Sequence, residues 1–179
     1  MFIASPPGPP LVCRPNWLLR SSFWRLFWSL PLPPQASTPW WRLLHGHVST
    51  QAFWHRLTPS VVSSPLCRFC GDAPEDIYHF VIGCRLKSTY WREMLQFLLL
   101  DDEFTRDLQV WSALFCFCGL YGNRLRKEVL TILGVAFTTL WKYHWQCVFD
   151  NAPWSPRSCF WLFQTEQSYY ISSFMSSLS

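Results

Sequence analysis

The sequence predicts a mainly α-helical protein, in which a short helix pair and a small Cys3His zinc knuckle are followed by a helical C-terminal region. Three observations carry this reading. Apolar residues recur at three- and four-residue spacing along much of the chain after residue 87, which places them on single helix faces. Three cysteines and a histidine crowd into residues 67–84 at ligand spacing. Half of the residues are hydrophobic and 18% aromatic, with 12 Trp and 15 Phe against 15% charged, so the chain can bury a core and is not disordered throughout. Its 179 residues suit one compact domain, or a small module with appendages, and exclude a multidomain enzyme.

In chain order, residues 1–38 read as a Pro-rich leader with one helical candidate, Trp17 to Leu30, fenced by prolines at Pro6–Pro10 and Pro31–Pro34. Its Arg20 and Arg25 among aromatic rings suit a membrane surface or a nucleic acid, but a strongly polar face is missing, which favours a packed helix. Residues 39–100 form the second region. Trp40 to His45 and Gln51 to Leu57 are two short helices broken at Gly46, with Ser49 and Thr50 as cap candidates. A Ser/Val/Pro linker, Pro59 to Pro65, leads to the cysteine cluster, and a helix from Ser88 to Leu100 follows, with Trp91, Met94, Leu95 and Leu98 on one face. Residues 101–179 open with the acidic break Asp101-Asp102-Glu103. Helices are then expected from Leu108 to Cys118 and from Leu125 to about Phe149, where Pro153 and Pro156 prevent continuation, and the Ser-rich tail from Ser168 is expected to fray.

Formal net charge is +4. Residues 1–100 hold 9 Lys/Arg and 4 Asp/Glu, while residues 101–179 hold 6 and 7, so a polyanion is expected to meet the first half. No basic residue precedes Arg14, and Pro6–Pro10 interrupts any early apolar run, so no secretory signal is predicted. The best apolar run, Val129 to Trp141, falls short of the roughly 20 residues of a spanning helix. An intracellular chain with reduced thiols is therefore expected, in which a tight Cys/His cluster means metal and a membrane is not the partner.

The cluster is Cys67-Arg68-Phe69-Cys70-Gly71, then His79, then Cys84, a Cys-x2-Cys-x8-His-x4-Cys pattern. A structural zinc site needs four soft or borderline donors in a tetrahedron, and a Cys-x2-Cys hairpin supplies one edge of it. Gly71 allows the turn after Cys70. Glu75 and Asp76 stand where a short helix could start and turn His79 toward the hairpin, with Cys84 arriving after Gly83. Cys67, Cys70, His79 and Cys84 fill the shell, leaving no open position to activate water, so the expected Zn2+ is structural. The other five cysteines, Cys13, Cys116, Cys118, Cys147 and Cys159, lack ligand spacing and read as small core residues.

Trp41-Arg42-Leu43-Leu44-His45-Gly46-His47-Val48-Ser49-Thr50, His55-Arg56-Leu57, the Cys67–Gly71 segment, Glu75-Asp76-Ile77-Tyr78-His79-Phe80 and Cys84 through Trp91 together resemble the reverse transcriptase zinc-binding domain. That domain lies after the polymerase in non-LTR, LINE-type retrotransposons. The resemblance spans residues 40 to 92. It implies Cys67, Cys70, His79 and Cys84 as zinc ligands, a role in binding template RNA or target DNA, and a nuclear location. Arg42, Arg56, Arg68, Arg85, Lys87 and Arg92 are the candidate nucleic-acid contacts.

Catalysis is not expected. Asp101-Asp102 has no strand, Gly turn or third carboxylate beside it, as a two-metal polymerase site would require, and no Gly-rich phosphate loop or nucleophile elbow is present. His144 and Cys147 stand three apart on a helix, a spacing that suits simple packing. The sequence therefore supports a non-catalytic zinc module that binds nucleic acid as a retrotransposon-derived fragment. The alternative is a protein-interaction scaffold with a purely structural zinc and exposed aromatic residues.

Overall fold

A computed structural model describes residues 20–119 and 122–178. Among them lie eight α-helices, a π-helical turn and no strand. The chain divides into two compact units between Leu30 and Pro31. The first contains α1 (Ser21–Trp28), where successive rings meet edge to face, Trp24 with Phe27 at 5.7 Å and Phe27 with Trp28 at 4.8 Å. Residues 1–19, which hold Pro6–Pro10, Cys13 and the start of the Trp17–Leu30 candidate, lie outside the described residues, whereas residues 34–38 of the expected leader already belong to the next helix.

Residues 31–179 form one unit, and its helices are not partitioned at residue 100. The cause is a central helix, α6 (Lys127–Phe149), with an unbroken buried run from Val129 to Leu140. A helix that is apolar all round has no solvent face, and other helices must cover it. Thr138 and Thr139 fit in this run because their hydroxyls donate to the carbonyls of Gly134 and Val135, at 2.9 and 3.2 Å. The covering helices include α2 (Pro34–Leu44), α5 (Asp107–Cys116), α7 (Pro156–Glu166) and α8 (Ser168–Ser176). The α4 helix (Arg85–Phe97) packs on α7 and ties on through Tyr90, whose hydroxyl donates to Ala136 O at 2.9 Å.

Several boundaries differ from those expected. The α2 helix begins at Pro34 and runs through Pro39, giving up one backbone hydrogen bond, because Ala36, Trp40, Leu43 and Leu44 form a single buried face. The α4 helix starts at Arg85, capped by Cys84, three residues before Ser88. The α5 helix stops at Cys116 because Phe117 turns left-handed at φ 57°, and Cys118 then bridges antiparallel to Arg124. The tail is helical where fraying was expected, since Ile171 and Phe174 are buried in α8. The α6 helix ends at Phe149, with Asp150 at its C-cap and Asn151 left-handed at φ 50°, before either Pro153 or Pro156 is reached, and Pro156 starts α7. It sits at the first helical position, after Ser155, whose hydroxyl accepts from Ser158 N–H at 3.3 Å.

The α2 and α6 helices approach closely at Gly134. A Cβ added to Gly134 would lie 2.4 Å from Trp40 Cζ3 and 3.1 Å from Leu32 Cδ2. Trp40 is fully buried and its indole N–H donates to Leu114 O at 2.8 Å, so the ring cannot withdraw cheaply. Gly134→Ala is therefore expected to destabilise the protein by about 1–3 kcal/mol through overpacking, outweighing the gain of about 1 kcal/mol in helix propensity. Urea unfolding of the two forms reads the sign directly.

Candidate metal centre

The cysteine hairpin is built by backbone bonds at its base. Cys67 N–H donates to Ala73 O at 2.8 Å, Glu75 N–H donates to Pro65 O at 2.9 Å, and Leu66 bridges antiparallel to Pro74. At the tip Gly71 N–H returns to Cys67 O at 2.8 Å with φ +70°, a left-handed turn that glycine enters without strain. Nothing lies within 4 Å of a Cβ there, so the conformation, and not space, selects the glycine. The Asp72 N–H points at Cys70 Sγ, 3.5 Å away.

The other two ligand positions come from a π-helical turn, His79–Gly83. Asp76 starts it by accepting from His79 N–H at 2.7 Å. The wide turn closes from Cys84 N–H to His79 O at 3.2 Å, a five-residue step that brings Cys84 back beside the histidine. Trp91 steadies this arrangement, since its indole N–H donates to Val81 O at 2.8 Å. The trailing aromatic of the sequence pattern is thus a clamp on the ligand turn.

These segments bring Cys67, Cys70, His79 and Cys84 together, with one ligand atom from each lying within 4.8 Å of all the others. Cys70 Sγ and His79 Nε2 are 3.3 Å apart. Cys67, His79 and Cys84 are buried and Cys70 is half-buried. Three thiols and an imidazole converging from two turns could hold a metal ion, and the soft donor set suits a tetrahedrally coordinated one.

The thiols differ in acidity. Cys67 is pushed up to about 12, first by its hydrogen bond with Cys84 and then by burial. The same bond lowers Cys84, against its burial, with help from the N–H groups of Leu86 and Lys87 at the start of α4. Burial raises Cys70.

Beneath the ligands lies a buried charged group that sequence reasoning missed. Glu75 is 3% exposed and Lys87 0%, with Lys87 Nζ 3.7 Å from Glu75 Oε2. Glu75 Oε2 also accepts from the Cys67 thiol at 3.4 Å, Oε1 accepts from Gln51 N–H at 3.2 Å, and His144 Nε2 stands 3.8 Å from Oε1. Burial, together with the charges of Lys87 and Arg68, holds His144 well below the usual histidine range, so it is neutral at pH 7. Lys87 therefore leaves the candidate nucleic-acid set, because its ammonium has no access to solvent. Arg42, Arg56, Arg68, Arg85 and Arg92 are all exposed. Arg85 pairs with Asp72 at 2.8 Å, and Arg68 reaches Val148 O and Asn151 Oδ1 at 3.4 and 3.3 Å. Asp101 and Asp102 are exposed in a turn.

Comparison with protein families adds a decisive match: residues 14–91 fit the family model described as zinc-binding in reverse transcriptase. This match supports a reverse transcriptase zinc-binding domain over residues 14–91. All four ligand positions fall inside this domain. No curated protein and no solved structure matches the chain. Among the described residues no helix is long and apolar enough to cross a membrane.

Cys84→Ser is expected to weaken metal binding strongly, whereas Cys118→Ser, outside the cluster, leaves it intact. Cys67 and Cys70, both raised, are protonated at pH 7 without metal, so loading must expel at least two protons. Affinity should then rise with pH and fall on acidification. Metal titration in two buffers of different ionisation enthalpy counts the protons. Proton-free binding would contradict this thiol assignment.

Proposed function

We propose that this chain is a non-catalytic zinc module, derived from a LINE-type retrotransposon, that binds RNA or DNA. The observation that carries the reading is the convergence of Cys67, Cys70, His79 and Cys84 within the reverse transcriptase zinc-binding domain. Zinc is the ion that best fits three thiolates and an imidazole in a closed shell. Its role would be to hold the hairpin and the π-helical turn in register, since four protein ligands leave no position for substrate. No step of chemistry is assigned to it.

The nucleic-acid reading rests on the exposed arginines and on the family. Arg42 and Arg56 lie on α2 and α3 (Gln51–Leu57), Arg68 on the hairpin, and Arg85 and Arg92 on α4. The Arg85–Asp72 pair is exposed on both sides, and such pairs contribute little, so a phosphate can compete for the guanidinium. Arg56 lies 5.8 Å from the Phe53 ring centroid, an aromatic and basic pair suited to a stacked base.

A second reading, a protein-interaction module, is favoured by one observation. The α3 helix buries none of its residues, and Trp54, Leu57, Val61 and Leu66 are exposed close to it in sequence. Salt dependence separates the two readings. With four or more phosphate contacts the log–log slope should reach about −3 on single strands and steeper on duplex, at about −0.7 and −0.9 per contact. Replacing Arg42 and Arg56 together should flatten it by about one to two units. Fluorescence anisotropy against salt measures this, with zinc content of the same sample determined by elemental analysis. Zinc-loaded protein that binds neither RNA nor DNA at low salt would leave the interaction reading in place.

A further inference from the structure

Lys87 is the least explained residue of the fold. It is the third residue of α4, its side chain is fully buried, and its ammonium has no hydrogen-bond acceptor among the described residues. Its ion pair with Glu75, at 3.7 Å, is longer than a hydrogen bond, and that carboxylate already serves Gln51 N–H and the Cys67 thiol. On another side the ammonium lies 4.3 Å from the centroid of the Phe80 ring. Buried ammonium groups persist where opposite charge compensates the lost hydration.

The ligand cluster lies behind the Glu75 carboxylate, whose Oε2, 3.7 Å from Lys87 Nζ, is 3.4 Å from Cys67 Sγ. Three thiolates, a neutral imidazole and a divalent ion sum to one net negative charge, itself buried beside Glu75. We propose that Lys87 is the counter-ion of the metal-loaded cluster, a positioning residue that sets metal affinity by neutralising the thiolate shell without touching the metal. This rests on the zinc reading above.

The charges facing Lys87 agree. Burial, the largest influence, holds Lys87 below the usual lysine range, and Glu75, then Cys67, Cys84 and Cys70, offset it only in part. His144 from α6 is neutral at pH 7, and the thiol of Cys159 from α7 is held well above its usual range by burial, so neither adds a negative charge. Once the thiolates form, the shell is the added negative charge that Lys87 meets. In return the ammonium offsets the cost of holding three thiolates in a buried site.

The test uses the full chain and zinc alone as probe, with affinity read by chelator competition. Lys87→Met keeps the length and apolar stem and removes the charge. It should weaken zinc binding by about 10- to 100-fold, the usual scale for residues behind a ligand shell. Tyr90→Phe, on the same helix, removes a buried hydrogen bond to Ala136 O and controls for destabilisation. It should lower unfolding stability while leaving zinc affinity within about twofold, a separation that a merely structural role for Lys87 would not produce. Equal zinc affinity in wild type and Lys87→Met overturns the proposal and leaves the zinc reading standing. Wild type that binds no zinc defeats that reading, and this proposal with it. Should Lys87→Met fail to fold even with zinc, nitrogen NMR of the Lys87 side chain in zinc-loaded wild type decides: a charged ammonium supports the proposal, and a neutral amine overturns it.

Discussion

The arrangement of the metal centre depends on one buried carboxylate. Glu75 closes the base of the cysteine hairpin through its N–H, and its carbonyl and side chain accept from Ala52 and Gln51 at the start of α3. The same side chain accepts from Cys67, pairs with Lys87 on α4 and faces His144 on α6. A carboxylate withdrawn from water is tolerable only while such partners stay in place, and removing one partner of a buried pair typically costs about 3–5 kcal/mol. The hairpin, the start of α3, α4 and α6 therefore meet at one buried carboxylate. This is a physical reason why residues 31–179 cohere as one unit: the knuckle is not an appendage tied on by its metal, since its base is charged and shared with the helical core.

Much of the site was legible in the sequence because its determinants are local. Ligand spacing of two, eight and four residues, a glycine after the second cysteine and an aromatic seven residues after the last one are all short-range facts. Each has a short-range structural counterpart in the hairpin, the left-handed turn at Gly71 and the Trp91 hydrogen bond to Val81. Thr50 was readable as a cap for the same reason, and its hydroxyl does accept from Phe53 N–H at 3.2 Å. The general helical character was equally plain, because the apolar stripe of α4 and the long apolar run of α6 repeat within a few turns.

What escaped the sequence depends on distant partners. Lys87 looks like any basic residue near Arg85 and Arg92, and only Glu75, twelve positions earlier, together with the packing of α4, reveals that it is interior. The tail read as frayed because serines dominate it, yet Ile171 and Phe174 have a place to go once α6 exists to receive α8. Prolines carry no fixed meaning: the helix expected from Trp40 starts earlier and runs through Pro39, and Pro156, expected to stop α6, lies past its end and opens α7, because burial of a neighbouring face or a serine cap decides what a proline does.

Two layers of stabilisation meet in this fold, and they are chemically different. The helical core is held by contacts that involve no ligand residue: Trp40 against Gly134, the Trp40 indole on Leu114, and Tyr90 on Ala136. These are apolar packing and neutral hydrogen bonds, indifferent to metal and to thiol ionisation. The ligand turns share such neutral bonds, in the hairpin backbone and the Trp91 indole on Val81, but add a buried carboxylate that accepts from Cys67, a cation over Phe80, and thiols whose proton state would change on metal binding. Metal chemistry thus acts on residues 67–84 and reaches outward through Glu75 and Lys87, into α3 and the first turn of α4. Exposed Arg56 and Arg85 stand on those two segments. In the reading proposed above, a metal held in a closed shell with no reactive position would act on those guanidinium groups only by placing the helix ends that carry them.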